Sequence, residues 1–156
     1  MKACLFLQRR FAYVGHKLAI ILKEKYDVKN FCGLVYTRPS YNFLVNQKDI
    51  KYTSLLLDED LHNQYKNESL DLEYLKKIEK EYGLPNLWPY IVLDRVVMFD
   101  ALSREYPHDT SQYSHEEMLK ILQVNAKAII KFLEKEKPDF IFMSLLGQIS
   151  SALLYH

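Results

Sequence analysis

The stretch ACLFLQRRFAYVGHKLAIIL, residues 3–22, decides the fold. Ala3 to Leu7 is an unbroken apolar run closed by Gln8-Arg9-Arg10, the pattern of a strand covered on both faces of a parallel sheet. Beyond it, Val14, Leu18, Ile21, Leu22 and Tyr26 recur at helical spacing while Lys17, Lys23, Glu24 and Lys25 fall off that stripe, which predicts an amphipathic helix over about 13–26. A buried strand running straight into a helix opens a βα unit, and the chain repeats that alternation.

Cys32 to Tyr36, closed by Thr37-Arg38-Pro39, reads as a second strand, and Tyr52 to Leu57, ending in Asp58-Glu59-Asp60, as a third. Ser40 to Gln47 between them is too short and mixed to assign. Asp71 can cap a helix carrying Leu72, Leu75, Ile78 and Tyr82, with Glu73/Lys77 and Lys77/Glu81 pairs and a stop at Gly83 before Pro85. Leu87 to Leu102 is almost continuously apolar; its length favours a buried helix, although Ile91-Val92 and Val96-Val97 favour strand. Ser114-His115-Glu116-Glu117 is a capping box, and the stripe Met118, Ile121, Leu122, Asn125, Ile129, Phe132, Leu133 predicts a long helix over about 115–136, broken at Pro138. Asp139 to Leu146 follows as a buried strand, and Gly147 to His156 starts a last helix with no stop signal.

This order predicts a Rossmann-like three-layer α/β/α fold around a parallel sheet of about four strands in the order 3-2-1-4, with one domain over residues 1–156. The unfinished last helix reads as an N-terminal part of a larger two-domain protein. A four-stranded sheet with an uncovered edge also motivates a homo-oligomer.

Composition narrows the function classes. At 156 residues, 49% hydrophobic and 26% charged, the chain is long enough for one core. Lys plus Arg is 21 and Asp plus Glu is 20, so no basic excess marks nucleic acid or an anionic membrane as a partner. The glycines, Gly15, Gly33, Gly83 and Gly147, are too far apart for a P-loop or a G-x-G-x-x-G fingerprint. Cys4 and Cys32 sit in predicted strands and read as reduced core thiols, which implies an intracellular compartment. No signal h-region and no transmembrane run is present, so a soluble, cytoplasmic protein is expected. His62, His108, His115 and His156 lack metal-ligand spacing and any neighbouring cysteine, so neither a metal nor another cofactor is predicted.

In an open parallel sheet a ligand sits beyond the carboxyl ends of the strands where the strand order reverses, here between strands one and four. The loops meeting there carry Arg9, Arg10, Gly15 and His16 on one side and Ser144, Gly147 and Gln148 on the other. Arg9 and Arg10 precede a helix N-terminus and are candidate anion contacts, with a solvated surface pair as the alternative. His16, placed in the first turn of that helix among positive charge, would be neutral and is a candidate general base; a structural histidine is the alternative.

Gly15-His16 followed by Leu18-Ala19 and Leu22, one loop after a first buried strand, resembles the Gly-His helix start of GT-B sugar transferases. Tyr41 to Leu44, Glu81 to Pro89, Asp94-Arg95 and the strand Pro138 to Leu146 extend the resemblance to the N-terminal half of capsular or surface polysaccharide biosynthesis proteins of that type. The chain departs from the pattern in Gln8 to Val14, which stands where a glycine-rich loop usually precedes the Gly-His pair. The resemblance implies an acceptor-side domain with His16 as base, a sugar or lipid-linked acceptor, and a nucleotide-sugar donor held by a C-terminal domain outside this chain. The chain alone is then expected to be inactive.

Other patterns compete. Asp58-Glu59-Asp60 matches a metal-holding D-x-D but reads better as a solvated acidic loop. Asp58 at a strand end also fits a phospho-receiver, except that Arg9 and Arg10 stand where such a domain needs acids. Asn125 reads as a buried amide bonded to a neighbouring backbone group and Asp94-Arg95 as a local salt bridge. The non-enzymatic alternative is a Rossmann-like ligand-binding or interaction module.

Overall fold

The structure, a computed structural model, describes residues 1–8, 10–94, 97, 113–143 and 147–155. In chain order the elements are β1 (Lys2–Leu7), α1 (Phe11–Tyr26), β2 (Asn30–Val35), α2 (Arg38–Val45), β3 (Tyr52–Leu57) and α3 (Asp58–His62). A 3-10 turn (Asn63–Asn67), α4 (Leu72–Glu81), α5 (Trp88–Leu93), α6 (His115–Glu136), β4 (Phe140–Phe142) and α7 (Ile149–Tyr155) follow. The four strands form one sheet in the order β3-β2-β1-β4, and every pairing is parallel, so the chain is a Rossmann-like α/β fold. Chain contacts divide it into two compact units, Met1–Asp60 with Ile130–Ser144 and Leu61–Ile129 with Leu145–His156.

In the first unit the strand alternation assigns the layers. Ala3, Leu5 and Leu7 of β1 join Phe31, Val35, Leu57 and Phe140 on the face covered by Ala12, Ala19 and Leu22 of α1 and Leu44 of α2. Cys4, Cys32, Leu56 and Ile141 point to the other face, against Phe132 and Leu133 of α6. Cys4 and Cys32 are register partners across β1 and β2, both buried and both free thiols. A register shift between β2 and β3 turns Leu55 to the same face as Tyr52.

α1 starts at Phe11 and buries a different stripe from the one its large residues draw: Ala12, Gly15, His16, Ala19 and Leu22 face inward. Val14, Ile21 and Tyr26 are exposed. The cause is close packing, since a Cβ on Gly15 would overlap Leu7 Cδ2. Only a face of small residues lets the helix axis come that near the strand.

Several boundaries differ from the sequence expectation. Ser40 to Gln47 is largely helical because Pro39 supplies a fixed φ at the first turn of α2 and Glu59 Oε2 accepts the Arg38 N–H at 2.6 Å. Asp58-Glu59-Asp60 is the first turn of α3 rather than a solvated loop. β4 is three residues long, its burial falls from intermediate to exposed at Phe142, and residues 144–146 lie outside the description.

At the amino edge of the sheet, Lys2 N–H donates to Asp139 Oδ2 at 2.6 Å, and Asp139 N–H donates to Lys2 O at 2.9 Å. Beside them Glu136 is buried and its Oε2 accepts from Lys2 Nζ at 2.8 Å and Thr53 Oγ1 at 2.8 Å. Burial pushes this carboxyl up, but the hydrogen bonds from Lys2 and Thr53 and the Lys2 charge outweigh it and hold it at about 2.

In the second unit the predicted helix signals are present. Ser114 and Glu117 exchange reciprocal bonds, Ser114 N–H to Glu117 Oε2 at 2.8 Å and Glu117 N–H to Ser114 Oγ at 3.2 Å. α4 ends in a Schellman turn: Gly83 N–H reaches Lys80 O, Leu84 N–H reaches Glu79 O at 2.7 Å, and Gly83 takes φ +64°, a region open to glycine. The expected i,i+4 pairs of α4 give way to an exposed Glu73/Lys76 contact at 3.0 Å. Fully buried Gln123 of α6 accepts from Asp71 N and donates to Glu68 and Ser69, which fixes the approach to α4.

Candidate functional site

His16 lies in the second turn of α1, because the helix begins two residues earlier than the apolar stripe predicts. It sits on the inward stripe and is 2% exposed. Its Nδ1 is 3.2 Å from the Tyr52 hydroxyl at the start of β3, and the Phe43 ring of α2 meets the imidazole edge-on at 5.7 Å between centroids. Tyr13 stacks obliquely on Phe43 at 4.4 Å and forms the outer side of this aromatic group. Burial pushes the imidazole pKa down from its ordinary value, Lys17 adds to the effect and Asp49 opposes it. The Tyr52 hydroxyl is pushed up by burial, so it stays protonated beside the ring.

The arrangement holds a neutral imidazole with one nitrogen tied to a phenol, the protonation state that accepts a proton. It is the inward-facing small-residue stripe that carries His16 beneath Phe43. Neither Tyr52 nor Phe43 was legible as its neighbour, since both belong to elements remote in sequence.

The other expected site residues are placed as follows. Arg10 is exposed at the N-cap of α1 and makes no side-chain cap bond, and Gly15 packs on Leu7. Arg9 and Ser144 lie outside the described residues. Gly147 and Gln148, in the second unit, precede α7 and donate their backbone N–H groups to Ser151 Oγ, both at 3.1 Å. The next N–H, of Ile149, donates to Asp94 Oδ2 at 2.9 Å. The start of α7 is therefore satisfied from within the chain.

Asp94 was expected in a local pair with Arg95, which lies outside the described residues. The Asp94 carboxylate, nearly buried, also accepts from Val97 N–H at 3.3 Å, so it joins the end of α5 to the start of α7. Asn125 is buried and donates to Ile121 O at 2.9 Å, as expected of a helix-interior amide. Two of the three carboxylates in Asp58-Glu59-Asp60 serve α2, Glu59 through the Arg38 backbone and Asp60 through an ion pair with the Arg38 guanidinium. Among the described residues no group of three His, Cys, Asp or Glu side chains is placed to hold a metal ion.

His62, the second histidine with a defined neighbourhood, packs with Tyr65 and Tyr113, and its Nε2 is 2.8 Å from the Tyr113 hydroxyl. Burial pushes its pKa down, with Asp94 opposing and Lys66 assisting. Among the described residues no helix is long and apolar enough to cross a membrane.

No protein-family model matches the sequence, and neither the curated proteins nor the solved structures give a match.

Proposed function

We propose that this chain is the acceptor-side domain of a glycosyltransferase-like protein of surface or capsular polysaccharide synthesis, and that it turns over no nucleotide sugar alone. The observation that carries the reading is the Gly15-His16 pair on the inward face of the helix that follows β1, in a parallel sheet ordered β3-β2-β1-β4. An inverting sugar transfer needs a neutral base at the acceptor hydroxyl and positive or dipolar groups at the departing diphosphate. His16 supplies the first. The exposed Arg10 at the N-cap of α1 supplies part of the second. The acceptor is a sugar or lipid-linked sugar, and the donor site belongs to a second domain.

The test replaces His16 by Gln in the producing cell and measures the sugar composition of its surface polysaccharide. Loss of one sugar, with the chain still present at normal abundance, is the expected result; unchanged polysaccharide overturns the base assignment. Nucleotide-sugar turnover by the purified chain overturns the claim that it is inactive alone.

A second reading, a Rossmann-like ligand-binding or interaction module without catalysis, is favoured by one observation. His16 is almost fully covered and bonded to Tyr52, as a core histidine would be. Under this reading the His16→Gln cell keeps its polysaccharide and loses only chain stability.

A further inference from the structure

α1 packs through one apolar face and carries a second that the core does not use. Its inward stripe is Ala12, Gly15, His16, Ala19 and Leu22. On the opposite side Arg10, Val14, Lys17, Ile21 and Lys25 follow at steps of four, three, four and four residues, one ridge running from the N-cap to the last turn. Val14 is 60% exposed and Ile21 44%. Helix propensity does not favour these β-branched residues, which lose rotamer freedom in a helix, and neither joins the core beneath α1.

The charge on that side has one sign. Over the whole chain 21 Lys and Arg stand against 20 Asp and Glu, but α1 and its N-cap hold Arg10, Lys17, Lys23 and Lys25 against Glu24 alone. Lys23 Nζ donates to the Asp49 carbonyl at 2.9 Å. Among the described residues Arg10, Lys17 and Lys25 have no anionic partner. Three exposed cations thus alternate along the ridge with two exposed aliphatic side chains. An interface with another protein gathers apolar residues at its centre and depletes charge there, so the alternation does not suit one. A second copy of this face would also bring like charges together. The pattern suits a helix lying in a headgroup layer, where the aliphatic side chains enter the acyl boundary and the long Lys and Arg stems reach back to the phosphates. Tyr13, half exposed and stacked on Phe43 of α2, borders the ridge with a ring of matching polarity.

We propose that the outer face of α1 docks this chain on an anionic lipid surface, with Val14 and Ile21 inserted and Arg10, Lys17 and Lys25 set against the lipid phosphates. The contact is reversible, since so few inserted groups give far less than a membrane-spanning helix. It needs nothing from the transfer reading, because His16 lies on the inward side of the same helix.

The test is co-sedimentation of the full chain with vesicles of phosphatidylcholine, alone or with about one-third phosphatidylglycerol, at low salt and at about 0.5 M sodium chloride. Binding to the anionic vesicles only, lost at high salt, is expected. Lys17→Gln should weaken it about fivefold, the worth of one cation at an anionic leaflet, and the double change Val14→Ser with Ile21→Ser about tenfold. All three side chains are exposed, so these variants should melt as wild type does. Lys131→Gln, which removes one exposed cation from α6 on the other face of the sheet, should leave binding as it was, and so should His16→Gln. Absence of binding, equal binding to both kinds of vesicle, binding that survives the double serine change, or an equal loss from Lys131→Gln overturns the proposal. None of these outcomes touches the polysaccharide test of His16, so either reading can fail without the other.

Discussion

The two faces of the sheet are closed by opposite kinds of surface. On one, α1 lies down through Ala12, Gly15 and Ala19, so close that Gly15 has no room for a methyl group beside Leu7. On the other, the end of α6 reaches the strands through Phe132 and Leu133, with Glu136 buried at the margin in a cradle of Lys2 and Thr53. Small residues of α1 packed on the Leu7 side chain, with Leu22 and Leu44 beside them, close the first face, and side-chain volume with one ion pair closes the second. The first kind of packing tolerates no addition and the second no removal, which makes the contrast testable.

The largest expected effect is on the α6 face. Phe132→Ala should cost about 3–5 kcal/mol in urea unfolding, the usual loss for a buried phenylalanine; a cost below that of any α1 substitution would reverse the comparison. Glu136→Gln comes next, at about 2–3 kcal/mol at neutral pH. Its folded carboxyl is held at about 2 against an ordinary 4.5, so its contribution is complete above pH 4.5 and disappears as pH falls toward 2. Wild type should lose melting temperature across that window, and the Gln variant should show a flatter profile there.

On the α1 face, Gly15→Ala adds one methyl group. Displacing the fully buried Leu7 should outweigh the gain in helix propensity and leave a net loss of about 1 kcal/mol, read by chemical denaturation. His16→Gln should remove a shallower slope. The folded imidazole is depressed, so the stability it confers is present above about pH 6.5 and declines as pH falls below that value; thermal melts between pH 7 and pH 5 should show a smaller decline in the variant, which keeps the contribution of His62, than in wild type. The smallest effect is a gain. Asp27 ends α1 at φ 53° without being glycine, so Asp27→Gly should raise stability by about 0.5–1 kcal/mol.

The elements that sequence alone disclosed are those whose signals are local. The reciprocal bonds of Ser114 and Glu117, the stop at Gly83 and the apolar strands β1 and β3 all arise within a few residues of chain, and each stands where the pattern put it. The strand order also followed from the alternation, because right-handed crossovers leave few other arrangements. The inward face of α1 was misread because hydropathy weighs Val14 and Ile21 above Ala12 and Gly15, whereas the strand rewards the absence of a side chain. α2 was missed because its start depends on Glu59, twenty-one residues away, and the bond from Ile149 N–H to Asp94 was not legible because the two lie 55 residues apart. Of the candidate site, the position of His16 on α1 was readable, but its cover by Phe43 and its bond to Tyr52 come from tertiary packing.

The place of β1 between β2 and β4 has a consequence for synthesis on the ribosome. The strands β1, β2 and β3 emerge within the first 57 residues, but β4 and the Asp139 contact to Lys2 arrive only after the whole span 61–129 has been made. Until then the central strand is an edge strand, with the open backbone and apolar side chains that recruit other chains. Slow elongation through residues 61–129 should therefore lengthen the interval in which nascent copies aggregate, and a chaperone that shields β1 during it should raise the yield of folded protein.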